Sequence, residues 1–190
     1  MIIGITGTPG TGKTSASALI GGVLDLNELI KNEGLYHGID ETRGSLIADM
    51  DAVYDRVCGI ARGGGGGRVG GGNLIIEGHL SHHVSDSAIV LRLAPDELER
   101  RLMARGYSTA KISENALSEA VDVILIEAVD WCDKVYEVDT TGKTVEEVAD
   151  TIRGILDAIG RGIEIEGYEP GSVDWLESEV SCLVKFDYGR

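Results

Sequence analysis

Three observations in the 190-residue sequence predict an α/β fold, a parallel sheet flanked by helices. Short apolar runs alternate with stretches of helical period. The runs are apolar throughout, as strands covered on both faces require. A glycine-rich loop joins the first run to the first helical stretch. Taken in order, Ile2–Thr6 reads as a strand and Lys13–Ile20 as a helix ending near Gly21-Gly22. Asn73–Glu77 (NLIIE), Ala88–Leu93 and Val135–Asp139 read as three further strands. Pro95 at a first helical turn, Leu98 and Leu102 on one face and Gly106 beyond them mark a helix. From Ile112 onward, Ala116, Leu117, Ala120, Val121, Ile124, Leu125 and Ala128 form one stripe, which predicts a single long amphipathic helix. Thr144 and Glu147 form a capping box for a last helix, with Gly160 expected to close it.

Two segments do not follow this scheme. Residues 63–72 contain eight glycines, whose backbone entropy opposes helix and strand alike, so the stretch reads as a flexible connector. Residues 161–190 form an acidic extension with Trp175, Leu176, Val180 and Leu183 among its carboxylates. It is expected to pack on the domain, with an acidic partner surface as the alternative.

Acidic residues outnumber basic ones 32 to 17, for a net charge of −15, which disfavours extensive direct nucleic-acid binding. A solvated acidic surface or a basic protein partner accounts for the balance. Cys58, Cys132 and Cys182 are odd in number and widely spaced, so neither a disulfide framework nor a structural zinc site is expected. No apolar run is long enough for a membrane span, and the opening MIIGITGTPG lacks the basic region of a signal peptide. A cytoplasmic protein is therefore expected.

Gly7-Thr8-Pro9-Gly10-Thr11-Gly12-Lys13-Thr14 matches the phosphate-loop pattern GxxxxGK[ST] in full, after an apolar run and before a helix. Its glycines let successive backbone N–H groups converge on an anion at a helix N-terminus. Lys13 is expected at the β- and γ-phosphates of ATP, and the Thr14 hydroxyl on Mg²⁺. Glu77 ends the NLIIE run, where open α/β sheets gather functional groups, and is the second candidate for the metal. His79 follows two residues later, near the expected γ-phosphate. His79, His82 and His83 are three of the four histidines; their spacing implies no ligand geometry, and a nucleotide-site or surface role is preferred to a metal. Arg100, Arg101 and Arg105 cluster near a helix end, where cations also favour the helix dipole.

The opening MIIGITGTPGTGKT, the stretch Glu77-Gly78-His79-Leu80-Ser81-His82, Val90-Leu91-Arg92 with Pro95 and Arg101-Leu102, and Arg105-Gly106-Tyr107-Ser108 with Lys111, Glu114 and Asn115 together resemble one family. It is the adenylate kinase isoenzyme six group, also described as the coilin-interacting nuclear ATPase, and the resemblance spans roughly residues 1–159. It implies a P-loop nucleoside monophosphate kinase fold: a core over 1–160, a monophosphate-binding insertion near 35–60 and a short lid near 104–115. It implies adenylate kinase activity with AMP as acceptor, ATP hydrolysis, and a role in small ribosomal subunit maturation (ribosome biogenesis and rRNA processing) through a basic ribosomal protein. Lys13, Glu77, His79 and Arg105 become the catalytic candidates, Arg105 as the lid arginine with Lys111 nearby. Arg43 could contact the AMP phosphate, with Asp40, Asp49 and Asp51 as positioning candidates that a plain acidic loop explains nearly as well. Thr140 and Gly142 would border the adenine by analogy of fold. The DGFPR-type and TGDLLR-like blocks of ordinary adenylate kinases have no counterpart, and Glu77-Gly78-His79 stands in place of the first. Alternatives are therefore an assembly ATPase for a basic ribosomal protein and a kinase for another small metabolite.

Overall fold

The computed structural model describes residues 1–41, 45–63, 68–69 and 72–176. Its centre is a parallel sheet built on β1 (Ile2–Thr6), which pairs with β6 (Asn73–Glu77) on one side and β7 (Ser87–Arg92) on the other. β2 (Leu24–Asp25) extends the sheet beyond β6, and β8 (Lys134–Asp139) extends it beyond β7, giving the order β2-β6-β1-β7-β8. The apolar runs divide between two faces by simple alternation. Ile3, Ile5, Ile75, Ile89 and Leu91 join a core under α1 (Lys13–Ile20) and α7 (Val145–Arg161). Ile2, Leu74 and Ile76 point the other way, against α2 (Leu26–Glu33) and α3 (Met50–Gly63). On that same face Ala88 and Val90 pack on α6 (Val123–Trp131). The predicted parallel sheet flanked by helices is the observed fold. Among the described residues, no helix is long and apolar enough to cross a membrane.

Several boundaries differ from expectation, each for a local reason. The stripe from Ile112 to Ala128 is two helices, α5 (Thr109–Ala120) and α6, broken at Asp122, whose φ of 60° is left-handed. The stripe divides with the helices: Ile112 of α5 packs with Leu93, Leu98 and Leu102, while Leu125 and Ala128 of α6 pack on β7. Leu117 and Val121 are exposed, and the Asp122 carboxylate turns to Arg92. The last helix runs past Gly160 to Arg161 and is closed by Gly162 at φ 67°, the glycine whose left-handed conformation frees the chain to turn. Its capping box between Thr144 and Glu147 forms as expected.

Over the region near 35–60 that the resemblance gives to a monophosphate-binding insertion, the chain forms an antiparallel hairpin of β3 (Tyr36–Asp40) and β4 (Ser45–Ala48) and then enters α3. Within the glycine-rich stretch, read as connector alone, β5 (Arg68–Val69) adds two residues antiparallel to β6, and Gly63 ends α3. β2 and α2 were not expected at all. β2 has only two residues, although Asp25 as N-cap and Gly34 as left-handed C-cap do mark the ends of α2. The acidic extension packs on the domain as far as Leu176 is described: Ile165 and Tyr168 join the core, and the Tyr168 carbonyl accepts from Glu137 N at the edge of β8. Val180 and Leu183 lie outside the described residues.

Candidate nucleotide site

β1, β6 and β2 all end at one edge of the sheet, and the loop after β1 wraps back over that edge into α1. The loop depends on glycine twice. Gly7 has φ 136°, and a Cβ there would sit 2.4 Å from the Leu91 carbonyl oxygen. Gly10 has φ 110°, and its Cβ would sit 2.5 Å from Leu98 Cδ1. Leu98 lies on α4 (Pro95–Ala104), so that helix is the wall against which the loop is moulded. Arg101 of α4 also donates to the Gly10 carbonyl at 3.5 Å. Gly12 opens α1 without any side-chain cap, leaving the helix N-terminus to be satisfied by an anion.

Lys13 is buried, and its Nζ donates to the carbonyls of Gly7 at 2.6 Å and Thr8 at 3.0 Å. Burial pushes its pKa down to about 8, with Arg105 adding to the fall and Glu77 and Glu119 opposing it. An ammonium held out of water and only partly compensated is a fitting place for phosphate oxygens. Glu77 is also buried, with Thr14 beside it. Its carboxyl pKa is raised chiefly by burial and further by Asp25, while the neighbouring Thr14 hydroxyl and Lys13 pull it down. Asp25 is in register with Glu77 across the β2–β6 pair, so two carboxylates and a hydroxyl meet at the strand ends. That donor set suits a hard divalent cation.

A cleft of about 540 Å³ opens over these groups. It is lined by Pro9, Gly10, Gly12, Lys13 and Thr14 of the loop, by Glu77 and His79, and by Arg105, Tyr107 and Lys111. His79 reaches solvent at the cleft mouth. Its pKa is nevertheless lowered to about 4, first by partial removal from water and then by Lys13, His83 and Lys111, so it is a neutral imidazole at pH 7. Arg105 follows α4 in the turn to α5, and Ser108 caps α5 by accepting from Lys111 N. Residues 95–120 thus form a helix–turn–helix, with Lys111 Nζ 5.0 Å from the Tyr107 ring centroid.

Not every candidate converges here. Thr140 is buried behind the loop, its hydroxyl directed to the carbonyls of Arg92 at 2.7 Å and Thr11 at 3.3 Å. It lines a smaller cavity of about 190 Å³ together with Gly12, Arg101 and Arg105. Gly142 sits in the turn before α7, its N–H donating to Glu97. Asp40 ends β3 in the hairpin, which reaches the cleft through Ser45. Asp49 instead caps α3 by accepting from Ala52 N and pairs with His37, and Asp51 lines a second cavity. Arg43 lies outside the described residues. Thr11 holds the loop closed by donating to the Thr8 carbonyl at 3.0 Å.

Sequence reasoning missed Asp25 and Glu119. The first was hidden in a strand too short to read. Glu119 is buried on α5, where it accepts from the Thr8 hydroxyl and from Arg92 Nε at 2.7 Å. Its signal was present: a carboxylate three residues from Ala116 and one from Ala120 falls on the apolar stripe, where a charge needs a partner.

Comparison with known proteins agrees with this geometry. Residues 3–122 match the family model described as AAA domain. A Methanosarcina barkeri protein named "Putative adenylate kinase" is 49% identical over 184 residues, covering 93% of this chain and 98% of that protein. A Methanosarcina mazei protein of the same name is 48% identical, covering 94% and 99% respectively. A shikimate kinase from Bacteroides thetaiotaomicron shares the fold, with a TM-score of 0.50 at 15% identity over 83% of this chain and 98% of the other.

Proposed function

Because this chain belongs to the family of its Methanosarcina relatives and carries the AAA domain match over residues 3–122, we propose that it is an adenylate kinase, converting ATP and AMP to two ADP. The observation that carries this reading is the buried, partly compensated Lys13 ammonium lining one cleft with Arg105 and Lys111. Phosphoryl transfer needs little covalent chemistry from a protein; it needs positive charge and N–H donors placed around the moving group. In this reading the loop from Gly7 to Gly12 and Lys13 hold the phosphates, and Thr14 and Glu77 hold Mg²⁺. Bound ATP–Mg²⁺ supplies an electrophilic phosphorus whose developing charge the ion offsets. Glu77 and neutral His79 orient the attacking oxygen, Arg105 closes over the transferring group, and Lys111 with Asp40 and Arg43 positions the acceptor. Thr140 and Gly142 border the base. The core, insertion and lid keep the boundaries 1–160, 35–60 and 104–115.

A second reading rests on the absence of the DGFPR-type and TGDLLR-like blocks and on the net charge of −15. It places the chain in the adenylate kinase isoenzyme six group, as a cytoplasmic ATPase that assists small ribosomal subunit maturation by engaging a basic ribosomal protein. ADP production from ATP–Mg²⁺, measured with and without AMP, separates the two. Strong dependence on AMP is expected for the kinase; slow hydrolysis indifferent to AMP would replace it with the ATPase. His79→Ala is expected to lower turnover more than nucleotide affinity, and the reverse pattern would remove His79 from the reaction.

A further inference from the structure

Beneath the turn that carries His79, His82 is fully buried and its Nε2 has no hydrogen-bond partner among the described residues. Nδ1 lies 3.0 Å from Thr6 Oγ1, which also stands 3.3 Å from the His79 carbonyl. In the tautomer whose Nδ1–H donates to Thr6, Nε2 presents a lone pair, the form that ligates a metal ion. Glu127 Oε2 on α6, a partly exposed carboxylate, is 3.3 Å from Nε2, a contact without hydrogen-bond geometry. A cation between the two groups would be shared by both.

We propose that His82, His83 and Glu127 bind one divalent transition-metal ion of the zinc type, separate from the Mg²⁺ of the nucleotide cleft. Ligand atoms of the three side chains all lie within 4.8 Å of one another. With metal–ligand bonds of roughly 2.0–2.2 Å in a tetrahedron, neighbouring ligand atoms stand about 3.3–3.6 Å apart. The measured 3.3 Å between His82 Nε2 and Glu127 Oε2 is already such an edge. His83 and Glu127 are both partly exposed, so the third ligand can close by a small side-chain shift. Two imidazoles and one carboxylate favour zinc-type ions over Mg²⁺ or Ca²⁺, which prefer oxygen alone. The Thr6 hydroxyl supplies the outer contact that fixes a ligating imidazole. His83 also borders a second cavity of about 530 Å³, which leaves room for water at the fourth position. The ion would tie α6 to the turn after β6 and so steady the turn that carries His79.

The test is titration of the metal-stripped, nucleotide-free protein with Co²⁺, followed by displacement with Zn²⁺. A single Co²⁺ per chain with the strong visible absorption of tetrahedral coordination, displaced by Zn²⁺, is expected. His83→Ala and Glu127→Gln alter partly exposed side chains and are expected to keep the fold while weakening binding by more than the roughly 10–100-fold that loss of an outer partner costs. Absence of binding overturns the proposal. So does binding of undiminished affinity in both variants, or weak octahedral absorption, which would place the ion at Thr14 and Glu77. Neither arm uses nucleotide turnover, so the result stands apart from the kinase assay.

Discussion

Two clusters of buried charge lie on either side of the phosphate loop, and their contrast separates working groups from supporting ones. At the cleft, Lys13 and Glu77 are each displaced from their ordinary pKa by burial, one downward and one upward, because neither is fully compensated. Behind the loop, Arg92 is equally buried yet fully paired: it donates to Glu119, Asp122 and Glu137, and to the Glu119 carbonyl. Those carboxylates are satisfied in turn. Glu137 accepts from Ser172 and Val173, and Glu119 from Trp175, Leu93 N and Thr8. The Arg92 cluster is satisfied by hydrogen bonds although its three carboxylates outnumber its one cation. Lys13 and Glu77 instead keep pKa values displaced by burial, the mark of a candidate ligand site.

The largest expected effect comes from breaking the paired cluster. Arg92→Leu strands Glu119 and Glu137 as buried charges and should cost about 3–5 kcal/mol in chemical denaturation. Adding Glu137→Gln should recover part of that loss. If Arg92→Leu is neutral, the cluster is not structural and the contrast fails.

Lys13 should behave in the opposite sense. Lys13→Met is expected to reduce turnover about 100–1,000-fold, the scale for losing one preorganised donor at a developing charge, while leaving the ligand-free protein at least as stable. The pH dependence follows from the sign of the shift. A folded pKa of about 8, below the free value of 10.5, means that holding Lys13 charged opposes folding fully below pH 8. The penalty is relieved as pH rises from 8 to 10.5. The stability advantage of Lys13→Met should therefore be present at pH 7 and disappear by about pH 10.5. Wild-type turnover in this variant would remove Lys13 from the site.

The smallest effect tests whether the clusters communicate. Thr8 is the one residue of the loop whose side chain reaches Glu119 among the described residues. Thr8→Val should cost about 1.5–3 kcal/mol, the range for a hydrogen bond to a charged group. If the paired cluster also shapes the loop, nucleotide affinity measured by calorimetry falls with it. Lost stability with unchanged affinity would make the two clusters neighbours and nothing more.

Legibility in the sequence followed the range of each interaction. The phosphate loop, the strands β1, β6, β7 and β8 and the helices α1, α4 and α7 announce themselves through contiguous residues: a motif, an apolar run, a Pro at N1, a capping box. The break at Asp122 does not, because what ends α5 is a long-range contact with Arg92, thirty residues earlier in the chain. β2 is equally silent, since two residues acquire strand geometry only from the neighbouring β6.

Local pattern alone therefore determined the α/β class, the loop from Gly7 to Thr14, and Glu77 at the end of its strand, because periodicity and capping act over a few residues. Only the tertiary structure decided that Asp25 stands beside Glu77, that Glu119 reaches Thr8, that Arg105 and Lys111 line one cleft with Lys13, and that His82 Nε2 comes within 3.3 Å of Glu127. Those pairings join residues far apart in the chain, and the sheet order and helix packing that bring them together are set by how two apolar faces are covered at once.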